Sequence, residues 1–299
     1  MKTSFALDTV VQVTVYDEKD EAAALKALEY CKDAEKIFSM TDPSSELYRL
    51  NASAGTPVRI PEELYSLLLT CQTYGRLSDG AFDVTLGALS SVYAFSGDTH
   101  RVPDDEERAA LLSHTGPDKL TLSDNGTALV SPGTVIDLGA AAKGRIADGM
   151  KSLLLSEGVR HAIVNLGGNV LVIGEKPSGN GTVPFDAGIA KPVPGQTNEV
   201  LLNVPLSDAS LVTSGTYQRY FEQDGVRYHH ILDPATGLPV SNGLASVSVI
   251  CEKSEDADIL STACFVLGEE KAAALIRALD FPVEVIFVNE QLDVSRIRN

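Results

Sequence analysis

Asp258 and Thr262 stand four residues apart in the run DADILST at 256–262, where the apolar spacing predicts a helix. Four residues is about one helical turn, so both side chains share one face. A carboxylate beside a hydroxyl is hard oxygen ligation, suited to Mg²⁺ rather than to zinc. The same residues also permit a plainer reading. Ser254 and Asp256 occupy places where helix caps sit, and acids there complement the helix dipole.

A second group lies in YHHILDPATGLP at 228–239. On a strand, His229 and His230 point to opposite faces, so at most one serves a given site. Two His without Cys or further His make a poor zinc site. A solvated His at a hairpin end is the competing reading. In VIDLGAAAKG at 135–144 a strand ends at Asp137, a Gly-Ala turn follows and a helix begins. Helix N-termini attract phosphate. Lys143 near such a terminus opposes the dipole, which points to an anionic partner or to simple solvation. The turn carbonyls are further candidate metal ligands. NLGGN at 165–169 reads as a tight turn that could let backbone approach a ligand. Phe82, in GAFDVT at 80–85, could stack on a planar ring or fill the core.

These residues need a scaffold. The run TVVQVTVY at 9–16 alternates as a half-buried strand. Helical spacing covers 21–38, a short Ser-capped segment with Leu47 and Leu50, and 61–77 with Pro61 in its first turn. A polar loop is expected at 99–107, a hairpin turn at Asp124-Asn125-Gly126, a short strand at 134–138 and a helix at 140–157. Two β runs flank Gly167-Gly168, and a loop is expected at 177–183. Asp224-Gly225 marks another hairpin. A strand at 245–251, helices at 256–267 and 269–280, and a strand at 283–288 complete the order. Interleaved strands and helices without a regular βαβ beat favour an α+β fold in one domain over 1–299.

Composition sets limits on function. The chain has 299 residues, 44% hydrophobic and 22% charged, an ordinary globular balance. A net charge of −17 argues against sequence-independent nucleic-acid binding. Cys31, Cys71, Cys251 and Cys264 form no CxxC pair and are expected as reduced core thiols. No run of about 18 apolar residues exists, so no membrane-spanning segment is expected. Met1 to Asp17 shows neither a signal-peptide core nor a lipobox-like Cys. The expectation is a cytoplasmic chain or one that begins after a removed leader.

In combination and order, the motifs resemble those of the ApbE family, the FAD:protein FMN transferases. They are FSMTDPSSELYRLN at 38–51, DGAFDVTLGAL at 79–89, VIDLGAAAKGRIAD at 135–148 and VNLGGNV at 164–170. They continue with TSGTYQRYFEQDGVRYHHILDPATGLP at 213–239 and SVSVICEKSEDADILSTACFVLG at 246–268. The resemblance implies two related β-α-β units with mostly antiparallel sheets, packed into one compact α+β body. It implies Mg²⁺ as cofactor and FAD as substrate. FMN would pass through its phosphate to a Thr or Ser of a flavin-acceptor redox protein, with AMP released. Metal-dependent FAD hydrolysis to FMN and AMP, or flavin binding without turnover, are the alternatives. By resemblance the metal ligands are the Asp258 carboxylate, the Thr262 hydroxyl and the Ala140 carbonyl. Ser261 stands where some relatives have Asp. Flavin-nucleotide contacts fall on Ala81, Phe82, Asp83, Asp137, Lys143 and Leu232. Leu7 and Thr41 align with two more contacts, which are Met and Tyr in some relatives. His230 aligns with the active-site histidine, and His229 with a variable position. The family's usual setting implies work outside the cytoplasmic membrane, often as a lipoprotein.

Overall fold

Leu171, Val172 and Ile173 face alternately into two different hydrophobic cores, as do Val285, Ile286 and Phe287. A strand with apolar side chains on both faces must be covered on both. The computed structural model describes every residue except 54, 96–98, 180 and 197. Its main sheet has eight strands, in the order Lys2–Ala6, Thr9–Val15, Ala162–Leu166, Asn169–Ile173, Ser210–Gly215, Leu244–Cys251, Glu284–Asn289 and Val294–Arg298. Every pairing between these neighbours is antiparallel. One face carries the helices Glu21–Phe38, Ala142–Ser156 and Ser254–Arg277, sealed by Val11, Val13, Val164, Val247 and Phe287. The other is covered by a hairpin of Phe185–Ala190 with Val200–Leu206, through Phe185, Ile189, Val204 and Leu206.

The sheet divides into two halves of four strands. In the first, Thr9–Val15 and Ala162–Leu166 are neighbours that enclose the helices Glu21–Phe38 and Ala142–Ser156 in sequence. In the second, Leu244–Cys251 and Glu284–Asn289 are neighbours that enclose Ser254–Arg277. This is the α+β class with two related units that the motifs imply.

Most expected elements form where the periodicity places them. The helices expected at 256–267 and 269–280 meet at Gly268, whose φ of 72° and ψ of 168° interrupt the helical backbone. All four Cys are free and buried. Burial pushes the Cys31 and Cys264 thiols up to about 12. Among the described residues no helix is long and apolar enough to cross a membrane.

Three local expectations fail. The short strand at 134–138 is reduced to one parallel bridge between Leu86 and Val135. The side-chain amide of Asn51 takes the strand partner's place: Ile136 N–H donates to Asn51 Oδ1 at 2.8 Å, and Asn51 Nδ2 donates to the Ile136 carbonyl at 2.9 Å. The loop expected at 177–183 pairs as Lys176–Ser178 with Gly181–Val183, around residue 180, which lies outside the described residues. The polar run 99–107 ends inside the helix Asp105–Leu112, capped when the Asp104 carboxylate accepts from Glu107 N–H.

Candidate functional site

The helices Ala142–Ser156 and Ser254–Arg277 begin against one another, and each caps the other with a carboxylate. Asp148 Oδ1 and Oδ2 accept from the N–H groups of Ser254 and Glu255, both at 2.9 Å. In return, Asp258 Oδ2 accepts from Gly144 N–H at 2.9 Å. The expected caps Ser254 and Asp256 do other work. Ser254 Oγ donates to Asn169 Oδ1 at 2.8 Å, and Asp256 accepts from the Tyr74 hydroxyl at 2.7 Å. Helix starts leave N–H groups without intrahelical partners, so a carboxylate from the neighbouring helix satisfies both chains at once.

Position 144 has to be Gly for this packing. A Cβ there would lie 2.3 Å from the Ser254 carbonyl oxygen and 2.7 Å from Glu255 Cα, both backbone atoms that cannot swing aside. Gly144→Ala is therefore expected to cost about 1–3 kcal/mol of stability, the usual range for overpacking. Thermal unfolding beside the parent chain checks this, and an unchanged midpoint would contradict the close approach.

The exchange frees one backbone oxygen. In a regular helix Gly144 N–H bonds to the Ala140 carbonyl, four residues back. Because Asp258 takes that N–H, the Ala140 carbonyl accepts no hydrogen bond among the described residues. Asp258 is 3% exposed, and its Oδ1 lies 3.8 Å from Lys143 Nζ. Burial pushes the Asp258 carboxyl up, opposed by Lys143 and by Gly144 N–H. Thr262 is half-buried one turn further along the same helix.

Asp137 and Asp83 stand on two paired segments, the second of which leads into Ala140. Residues 81–86 run alongside 135–139, joined by Asp137 N–H to the Val84 carbonyl at 2.8 Å. Each Asp ties down its own turn: Asp137 accepts from Gly139 N–H, and Asp83 accepts from Thr85 N–H and its hydroxyl. Lys143 Nζ donates to the Gly139 carbonyl at 3.0 Å, which places its charge over the same turn. Ala81 is half-buried. The Phe82 ring is buried in the main core, so a ligand would meet residue 82 through its backbone.

The two His part as a strand requires. His229 is buried; its Nε2 donates to the Val240 carbonyl at 2.9 Å and its ring packs edge-on against Phe265. His230 follows the hairpin of Tyr220–Gln223 with Val226–His229. Its N–H donates to the Arg219 carbonyl at 3.1 Å, and its Nδ1 lies 3.2 Å from the same oxygen. A carbonyl only accepts, so Nδ1 carries the proton and Nε2 presents a lone pair. Burial holds the His230 pKa down to about 3, with repulsion from Arg219 and, further off, Lys143. Leu232 is buried in an aromatic cluster with Tyr93 and Phe221, and the Tyr93 hydroxyl donates to the Gly237 carbonyl at 3.0 Å. That cluster fixes the hairpin that carries His230.

Leu7 and Thr41 are related through Glu35, near the end of the helix Glu21–Phe38. Leu7, with a φ of 56°, donates its N–H to Glu35 Oε1 at 2.8 Å. Glu35 and Thr41 line one cavity of about 450 Å³ together with Phe5. Asp148 and Ser214 lie in motif runs of the sequence without a mark of their own. Ser214 falls within the run TSGTY at 213–217, and nothing local marks Asp148 as a cap for a distant helix.

Ala140, Asp258 and Thr262 offer a carbonyl, a carboxylate and a hydroxyl. Among the described residues no group of three or more His, Cys, Asp or Glu side chains could hold a metal. The donors present fit a hard cation that keeps positions for water and phosphate oxygen, as Mg²⁺ does. The free Ala140 carbonyl is the structural sign of that fit.

An antiparallel sheet with helices on one face, and a cradle between two helix starts that carries Asp258 and Lys143, define an α+β protein. The chain belongs to the ApbE family, whose pattern matches residues 7–287. It is 37% identical to the FAD:protein FMN transferase of Treponema pallidum, over 96% of this chain and 83% of that one. It is 36% identical to one from Klebsiella pneumoniae, over 92% and 84%. Among solved structures, the ApbE protein of Thermotoga maritima superposes with a TM-score of 0.89 at 35% identity, covering 99% of this chain and 96% of that one.

Proposed function

We propose that this chain is a Mg²⁺-dependent FAD:protein FMN transferase. The observation that carries the reading is the carboxylate exchange between helix starts, which leaves the Ala140 carbonyl and Asp258 Oδ1 turned from helix bonding beside Lys143. The names of the relatives supply the substrate. Lys143 supplies positive charge for the pyrophosphate of FAD. The cavity at Glu35 and Thr41 and the turns at Asp83 and Asp137 are the proposed contacts for the rest of the nucleotide.

The acceptor's Thr or Ser hydroxyl oxygen bonds to the FMN phosphorus as the bond from that phosphorus to the bridging oxygen breaks. The hydroxyl proton passes to His230 Nε2, and AMP leaves with the bridging oxygen. Nδ1–H, held toward the Arg219 carbonyl, keeps the ring in the tautomer that can accept. Mg²⁺, when bound by Asp258, Thr262 and the Ala140 carbonyl, supplies positive charge to the phosphate oxygens. The intact mass of an acceptor domain incubated with enzyme, FAD and Mg²⁺ tests the proposal. AMP accumulating beside an unmodified acceptor would make water the nucleophile and the chain an FAD hydrolase.

A further inference from the structure

Three hydroxyls lie in a row behind the Asp258–Thr262 helix face. Ser261 Oγ is 2.7 Å from Ser214 Oγ, and Ser214 Oγ is 3.1 Å from Thr262 Oγ1. Ser261 is fully buried, and its Oγ donates to the backbone carbonyl of Asp258 at 2.9 Å. A hydroxyl has one proton to give. With its proton committed to that carbonyl, Ser261 can only accept from Ser214. Ser214 has then spent its own proton and can only accept from Thr262. The direction of all three bonds thus follows from one carbonyl. Thr262 Oγ1 is left with its proton turned toward Ser214 and its lone pairs turned away from it.

We propose that Ser214 and Ser261 are positioning residues that hold the Thr262 hydroxyl in the orientation a divalent cation requires. The proposal rests on the reading of Asp258 and Thr262 as cation ligands. A hydroxyl that ligates a cation must point its proton elsewhere, and a built-in acceptor spares it that reorganisation. Ser261 therefore acts on Thr262 without touching it. The strand Ser210–Gly215 supplies the middle link, with Ser214 registered opposite Val247 in the main sheet. A hydroxyl at 261 anchors the relay while adding no charge to the cradle. Oriented partners behind a metal ligand typically contribute about 10–100-fold in affinity.

The test is Mn²⁺ affinity of the full chain without FAD, read by electron paramagnetic resonance, together with the unfolding midpoint in chelator. Ser214→Ala is expected to weaken Mn²⁺ binding about tenfold, in line with lost outer partners, with the metal-free midpoint unchanged. Ser214→Thr, which keeps the hydroxyl, is expected to retain the affinity. Ser261→Ala frees the Ser214 proton to point at Thr262, so it is expected to lower affinity by a similar factor. Parental affinity in both Ala variants overturns the relay and leaves the cation reading standing. A loss in Ser214→Ala alone also overturns it, because the direction would then not originate at Ser261. A parent chain that binds no Mn²⁺ overturns both the cation reading and the relay.

Discussion

Replacing Asp258 by Asn leaves the chain folded and lowers FMN transfer about a thousandfold, the equivalent of some 4 kcal/mol of lost charge stabilisation. Asn is the informative choice because its side-chain oxygen can still accept from Gly144 N–H, so the capping bond between the helix starts survives. Asp258→Ala would instead strand a buried N–H, at about 1–3 kcal/mol. What Asn removes is the negative charge, which burial already opposes and Lys143 sustains. Divalent-cation affinity should fall in step with activity, and the unfolding midpoint in chelator should hold or rise. A folded Asp258→Asn chain with parental activity would mean that the carboxylate serves only as a cap.

Replacing His230 by Ala slows transfer about 10²–10⁴-fold, the usual contribution of a positioned proton acceptor, with little change in FAD affinity. Single-turnover rates separate chemistry from binding. Equal losses in both would make His230 a binding residue. The free chain's pKa of about 3 keeps the ring neutral at neutral pH, and an anionic phosphate beside it moves the value upward. The depressed pKa also has a stability consequence. The unfolded chain takes up a proton near the ordinary value of about 6.5, before the folded chain does. Stability due to the neutral ring is therefore complete above about pH 6.5 and is lost as pH falls toward 3. Asp148, raised to about 6 by burial, works in the opposite sense over the upper part of that window. It is present in both chains, so the comparison isolates the His. His230→Gln should show a shallower fall in unfolding midpoint between pH 7 and pH 4 than the parent.

Much of the scaffold was legible because the buried faces repeat with helical or strand period. Val11, Val13 and Val15 announce their strand, and the Asp258–Thr262 spacing announces one helix face. The strand Lys2–Ala6 was not legible. It is an edge strand with Phe5 on its open face, 69% exposed, so its apolar pattern does not mark a core side. The failed strand at 134–138 shows the same limit from the other direction. Ile136 and Leu138 are buried, but the hydrogen bonds of Ile136 that would make this a strand go to the side chain of Asn51. Site chemistry divides in a similar way. The strand period sends His229 and His230 to opposite faces, and the structure buries His229 against Val240 while leaving His230 half-buried at the Arg219 carbonyl. The mutual capping by Asp148 and Asp258 depends on two helix starts meeting in space, and neither residue carries a local mark of it. Gly144 is the one trace that contact leaves in the sequence, and it becomes readable only once its neighbour is known.

The intact mass of a flavin-acceptor domain, after incubation with this chain and FAD, with Mg²⁺ or with chelator, decides whether the chain transfers FMN. A gain of one FMN on a Thr or Ser of the acceptor is expected, in step with AMP release, and only when Mg²⁺ is present. Acceptors that stay unmodified across several redox domains, while FAD is hydrolysed or remains whole, would contradict it.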